Sequence, residues 1–209
     1  MLALLLVAAT PATAADAERA FAADAQANGQ WTAFRRWSTP EAVMFFPEPA
    51  RAHERLKDVK DPPRSVEWTP AASFVSCDGT TAANTGPWRQ GAGNGFFSTV
   101  WVRQRAGGWK WIVDGGDELA TARAWPAGTS TRTAACTGTP PKPESFSVAA
   151  AAENGWSSDR TLSWQWSVAA GGARRFEVRL WNGTAFETVI DDRIAARPST
   201  PAAPAKPAP

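Results

Sequence analysis

Between Ser65 and Gly116 the side chains alternate in character with a period of two, and only glycine-bearing turns interrupt the pattern. Val66, Trp68, Ala72 and Phe74 share one face of a strand that ends at Asp78-Gly79. Residues 81–89 read as a second strand, and the glycines at 91, 93 and 95 mark a hairpin. Phe97, Thr99 and Trp101 alternate with Phe96, Ser98 and Val100. Beyond Gly107-Gly108, Trp109, Trp111 and Val113 alternate with Lys110, Ile112 and Asp114 until Gly115-Gly116 ends the run. Period two puts successive residues on opposite faces of a sheet, and short glycine turns join antiparallel neighbours. This stretch is therefore committed to an antiparallel sheet with apolar surface to cover.

The cover is encoded upstream. Ala20, Ala23, Ala27, Trp31 and Phe34 recur at spacings of three or four, which predicts a helix over residues 16–37. Asp16 and Glu18 lie in its first turn, where the helix dipole favours carboxylates. Gly29 costs about 1 kcal/mol inside a helix and so marks a kink or a close contact. Thr39, preceding Pro40, is pushed out of the α region and ends the helix near Ser38. A single helical turn over 40–42, a short strand over 43–46 and a short helix from Pro49 to about Lys57 are expected next. Helices followed by a run of strands argue α+β: a long N-terminal helix and short helices on a curved antiparallel sheet.

Residues 121–144 are rich in Thr, Ala and Pro and read as a linker; no internal repeat is evident. Strand patterning returns over 145–194. Leu162, Trp164, Trp166 and Val168 alternate with polar residues, and Asn182-Gly183 signals a hairpin. An extra residue at Thr184 would pair Leu180 with Phe186, Val178 with Thr188 and Phe176 with Ile190. A segment this short rarely supports its own core, so its apolar face should cover the first domain or a second subunit, as in a homodimer. The Pro/Ala-rich residues 195–209 have the composition of a disordered tail.

Residues 1–14 carry an apolar run and small residues at a cleavage-type site, although no Lys or Arg precedes the run. They read as a signal peptide, which makes the protein exported, periplasmic or extracellular. No later stretch is apolar enough to span a membrane. In an oxidising compartment Cys77 and Cys136 either form a disulfide or stay separate thiols. Their spacing fits no metal motif, and one histidine, His53, cannot complete one. With 22 basic and 20 acidic residues, balanced in both halves, the chain has no electrostatic footprint for nucleic acid.

The stretch AERAFAADAQANGQWTAFRRWSTPEAVMFFP (17–47), with GWKWIVDGGD (108–117), resembles the SnoaL-like branch of the nuclear-transport-factor-2-like superfamily. The resemblance spans about residues 16–118. It implies a cone: a curved sheet wrapped around helices, with a pocket at the open end. Members include ketosteroid isomerases, polyketide cyclases and dehydratases beside non-catalytic binders, so the fold implies a pocket and not a reaction. Isomerases of the family pair a carboxylate base with an oxyanion hole that often includes a Tyr. This chain has no Tyr, and that arrangement does not carry over.

Among carboxylates, Asp24 at the edge of the helical stripe and Asp114 on the last strand are candidate bases, with the blander expectation that Asp24 meets Asn28 or Arg35. His53 lies in a charged run and reads as part of a solvated face. No G-x-S-x-G is present, and the glycines at 91, 93 and 95 open no helix, so neither a serine nucleophile nor a dinucleotide cofactor is indicated. Trp31, Phe34, Trp68, Phe97, Trp101 and Trp111 are the expected pocket walls, with Arg35 and Asp114 as polar anchors. The expected activity is binding of an apolar, ring-containing small molecule. An isomerase, cyclase or dehydratase with an Asp base is the alternative, and a structural or interaction protein of the envelope a third.

Overall fold

The computed structural model describes residues 10–141 and 151–196. The apolar run up to residue 9, the start of the C-terminal segment at 145–150 and the tail from 197 lie outside the described residues. Among the described residues there are three helices: α1 (Ala14–Asn28), α2 (Gln30–Trp37) and α3 (Ala52–Leu56). The strands are β1 (Ser38–Phe45), β2 (Pro49–Arg51), β3 (Glu67–Trp68), β4 (Ala72–Val75), β5 (Thr81–Gln90), β6 (Gly93–Arg103), β7 (Trp109–Glu118) and β8 (Ser130–Thr133). A second group follows: β9 (Ala151–Trp156), β10 (Leu162–Val168), β11 (Arg174–Trp181) and β12 (Phe186–Ile194).

The first eight strands form one sheet in the order β2-β1-β7-β6-β5-β4-β8, with β3 beside β5. It is mixed rather than purely antiparallel, because β1 runs parallel to β7 and β8 parallel to β4. Both parallel pairs join segments far apart in sequence, which local alternation cannot reveal. β1 also replaces the helical turn expected at 40–42. Pro40 falls at the irregularity between the Ser38 and Val43 pairings, where its missing N–H is tolerated. β8 lies within the stretch expected as linker, and the helix expected from Pro49 shrinks to α3 behind the short β2. β7 continues through Gly115-Gly116, which pair with Ser98 and Phe97.

The helices cover one face of this sheet. Ala14, Ala17, Phe21 and Ala25 of α1 pack with Ala33, Trp101, Trp109 and Trp111. The expected single helix is broken at Gly29, whose φ of 102° and ψ of 142° suit glycine. A Cβ there would lie 2.4 Å from the Asp61 carboxyl carbon. That carboxylate accepts from the Thr32 amide (3.0 Å) and hydroxyl (2.6 Å), so it caps α2 from a distant loop.

The other face is covered by β9–β12, an antiparallel sheet in the order β12-β11-β10-β9. Leu162, Trp164, Trp166, Phe176 and Val178 pack on Val43, Ala83, Val100 and Val113. Side chains of this size stabilise by roughly 1.5–3 kcal/mol each when fully buried. The hairpin register differs from the expected one. Trp181 pairs with Phe186, Leu180 with Glu187 and Val178 with Ile190, with the shift between Val178 and Arg179. The Asn182 side-chain oxygen accepts from the Thr184 and Ala185 amides and closes the turn itself, so the extra residue falls inside β12.

Two turns of identical pattern, Ser-x-Asp-x-Thr at 76–80 and 157–161, clasp the sheets together. In each, the Ser and Thr hydroxyls donate to the Asp between them. The Asp78 amide donates to Asp159 Oδ2 (2.7 Å), and the Asp159 amide returns the bond to Asp78 Oδ2 (3.2 Å). Beside this clasp Cys77 and Cys136 are joined by a disulfide, their Cα atoms 5.2 Å apart.

Candidate functional site

At the open end of the helix-covered face lies a cavity of about 420 Å³, within the range that small-molecule sites occupy. α2 supplies Gln30 and Phe34, the end of β1 Phe45, the bend after it Phe46, β3 Trp68, β5 Trp88 and β6 Phe97. β7 contributes Asp114, Gly116, Asp117 and Glu118, and Arg174 reaches in from the second sheet. Local sequence explains much of this. A Cβ on Gly95 would fall 2.3 Å from the Trp88 ring, so only a glycine lets that indole lie across β6 as a wall. Gln30 accepts from the Val66 amide (2.9 Å), which ties α2 to the loop before β3.

A β-bulge aims the principal carboxyl. Val100 pairs with Val113 and Trp101 with Trp111, leaving Ile112 as the extra residue. Ile112 and Val113 consequently both pack toward the second sheet, whereas Trp111 packs on the helical side. Simple alternation puts Asp114 opposite Trp111 and Val113 beside it. The bulge reverses both relations, and Asp114 opens onto the cavity.

No hydrogen bond reaches the Asp114 carboxyl among the described residues. Burial pushes it well above the ordinary carboxylate range, and the nearby charge of Glu18 adds to the effect. Glu18 itself is fully buried beneath the cavity. Its Oε1 accepts from the Trp68 indole (2.9 Å). Its Oε2 accepts from Thr99 Oγ1 (2.5 Å), Trp101 Nε1 (2.7 Å) and Asn84 Nδ2 (3.2 Å). Burial raises this carboxyl too, while the four donors pull it back. The environments differ: Glu18 has four donors that favour its charged form, whereas Asp114 has none among the described residues and faces the cavity.

Of the residues expected at the pocket, Phe34, Trp68, Phe97 and Asp114 are brought together around it. Trp31 stands behind, edge-on to Phe34 and Phe46 at 5.4 and 5.6 Å. Arg35 donates to the Leu56 carbonyl (2.8 Å) and Thr32 Oγ1 (3.1 Å). Trp101 and Trp111 are fully buried core. Asp24 accepts from Asn28 (2.7 Å), Arg36 (2.5 Å) and the Trp37 indole (2.8 Å), away from the cavity. His53 Nε2 lies 2.9 Å from Ser38 Oγ. Glu18, Trp88, Glu118 and Arg174 were not anticipated. Glu18 had a legible signal: with Ala14, Phe21 and Ala25 it falls on one helical stripe, a lone carboxylate among apolar residues. Trp88 shares the parity of Asn84 on β5; Arg174 carried no signal.

No protein-family model matches the sequence, and no curated protein sequence matches it significantly. In structure the chain is similar to a Parabacteroides distasonis protein described as a candidate ketosteroid isomerase. The TM-score is 0.42 at 13% identity, over 52% of this chain and 90% of the other. It is also similar to a cystatin-like fold protein from Burkholderia xenovorans, with a TM-score of 0.36 at 20% identity, over 50% of this chain and 84% of the other. Both likenesses concern the fold of about half of this chain.

Proposed function

We propose that the cavity binds an apolar, ring-containing small molecule, with the aromatic walls holding the ring and Asp114 anchoring one polar group. The observation that carries this reading is one partnerless carboxyl opening onto a cavity of about 420 Å³ walled by Phe34, Trp68, Trp88 and Phe97. A mostly apolar site with a few convergent polar groups is the usual form of a small-molecule pocket. A thermal-shift screen with steroids, aromatic polyketide-like compounds and fatty acids tests it. A ligand at a hundred times its dissociation constant stabilises the fold by about 2.7 kcal/mol. Absence of any shift with ring compounds favours the structural or interaction reading.

The same carboxyl favours a second reading, proton transfer on a ring-containing substrate, because a raised pKa suits an acid–base group at neutral pH. Turnover that disappears in Asp114→Asn, while ligand binding persists, would support it. Export is also proposed, from the apolar run and small residues of 1–14. Cleavage after Ala14 would remove Thr13, whose hydroxyl caps α1 at the Asp16 amide (3.1 Å), a contact worth about 1 kcal/mol. A mature mass starting at Ala15 is expected from the exported fraction; an intact Met1 on cytoplasmic protein refutes export.

A further inference from the structure

The carboxylates around the cavity are concentrated on one strand. Asp114, Gly116 and Glu118 alternate along β7, and at Gly116 the strands approach so closely that a Cβ would fall 2.1 Å from the Phe96 carbonyl oxygen. Asp117, paired with Phe96, points to the opposite face of β7, and Glu18 lies buried behind Asp114. Opposing these acids, Arg174 is the one cation lining the cavity among the described residues. It donates to the Pro47 carbonyl and stands 5.6 Å from the Phe45 ring. Gln30 from α2 is neutral, and Thr99, paired with Asp114 from β6, does not ionise in this range.

The aromatic rings divide in the same way. Arg55 stands 5.0 Å from the exposed Phe46 ring, and Arg123 3.6 Å from the buried Phe96 ring. Over Phe34, Trp68, Trp88 and Phe97, no guanidinium stands among the described residues. Indole and phenyl faces attract a cation, and more strongly where water is excluded. Burial in an apolar wall disfavours the charged form of a carboxyl, and an opposite charge beside it favours that form.

We propose that the cavity selects a cationic ring compound, an amphiphilic amine whose ring lies among Trp68, Trp88 and Phe97 and whose ammonium pairs with Asp114. The inference rests on the reading of the cavity as a ligand site and specifies its charge preference. Binding ionises Asp114, and the proton leaves to solvent while the ammonium keeps its own. Glu118 draws the cation toward Asp114 from the mouth.

Three probes of equal ring size separate the alternatives in calorimetry on the full chain: naphthylmethylamine, naphthylmethanol and naphthoate. The amine should bind about tenfold or more tighter than the alcohol at neutral pH, and naphthoate most weakly. Amine affinity should rise with pH, up to about tenfold per unit, until Asp114 is ionised in the free protein. Alcohol affinity should stay flat. Asp114→Asn should bring the amine-to-alcohol ratio near one and abolish the pH slope. If that variant does not fold, the wild-type pH slope and a reduced amine preference in Glu118→Gln serve in its place. Alcohol or naphthoate binding as tightly as the amine, or an amine affinity that ignores pH, overturns the charge preference and leaves the ligand site standing. If no probe binds and the wider ring-compound screen is also blank, the ligand-site reading itself falls.

Discussion

Replacing Gly29 by Ala perturbs the one backbone position that aims α2 over the cavity. Its φ of 102° and ψ of 142° lie in a region that residues with a Cβ rarely enter, and such strain costs about 1–3 kcal/mol. The new methyl would also sit 2.4 Å from the Asp61 carboxyl carbon and expel the carboxylate that caps α2 at Thr32, a loss of about 0.5–2 kcal/mol. Together these predict destabilisation of roughly 1.5–5 kcal/mol by urea unfolding. Because α2 carries Gln30 and Phe34 to the cavity, ring-compound affinity should fall as well. A double-mutant cycle separates the two parts. In an Asp61→Ala background the cap is already gone, so Gly29→Ala should cost only the backbone strain and leave a coupling of about 0.5–2 kcal/mol. A change below about 0.5 kcal/mol in the wild-type background, or full additivity with Asp61→Ala, refutes the capping argument.

Asp114→Asn should stabilise the unliganded protein at neutral pH, with the gap closing as pH falls toward the ordinary Asp range. The folded-state pKa is raised, so the native state loses stability as pH climbs from the unfolded value through the folded one, and Asn escapes that loss. Equal stabilities across the range, read from melting curves, would contradict the buried carboxyl. Reducing the Cys77–Cys136 disulfide releases a loop with a sequence separation of 59, and chain entropy predicts a cost of roughly 4 kcal/mol. Free-thiol titration of denatured, unreduced protein should find none; two titratable thiols would refute the pairing.

Local pattern made much of the fold legible. Alternation from Ser65 to Gly116 located β5, β6 and β7, because strand parity depends only on neighbours along the chain. Helical periodicity likewise located the stretch of α1 and α2, but the expected single helix breaks at Gly29. α1 buries Ala14, Ala17, Phe21 and Ala25, while Ala23 and Ala27 of the expected stripe are exposed. Phe34, Trp68, Phe97 and Asp114 were readable as pocket residues from type and position. What tertiary structure alone decided is which way those residues face and what they meet. The bulge at Ile112 arises where β7 must satisfy β6 and β1 at once, and it turns Asp114 inward. Asp61 caps α2 across 29 residues of sequence, and Arg174 enters the cavity only because β9–β12 pack on the far face of the first sheet. Glu18 marks the boundary between the two. Its place on an apolar stripe is local information, but its four donors come from β3, β5 and β6, and only their convergence makes a carboxylate tolerable in the core.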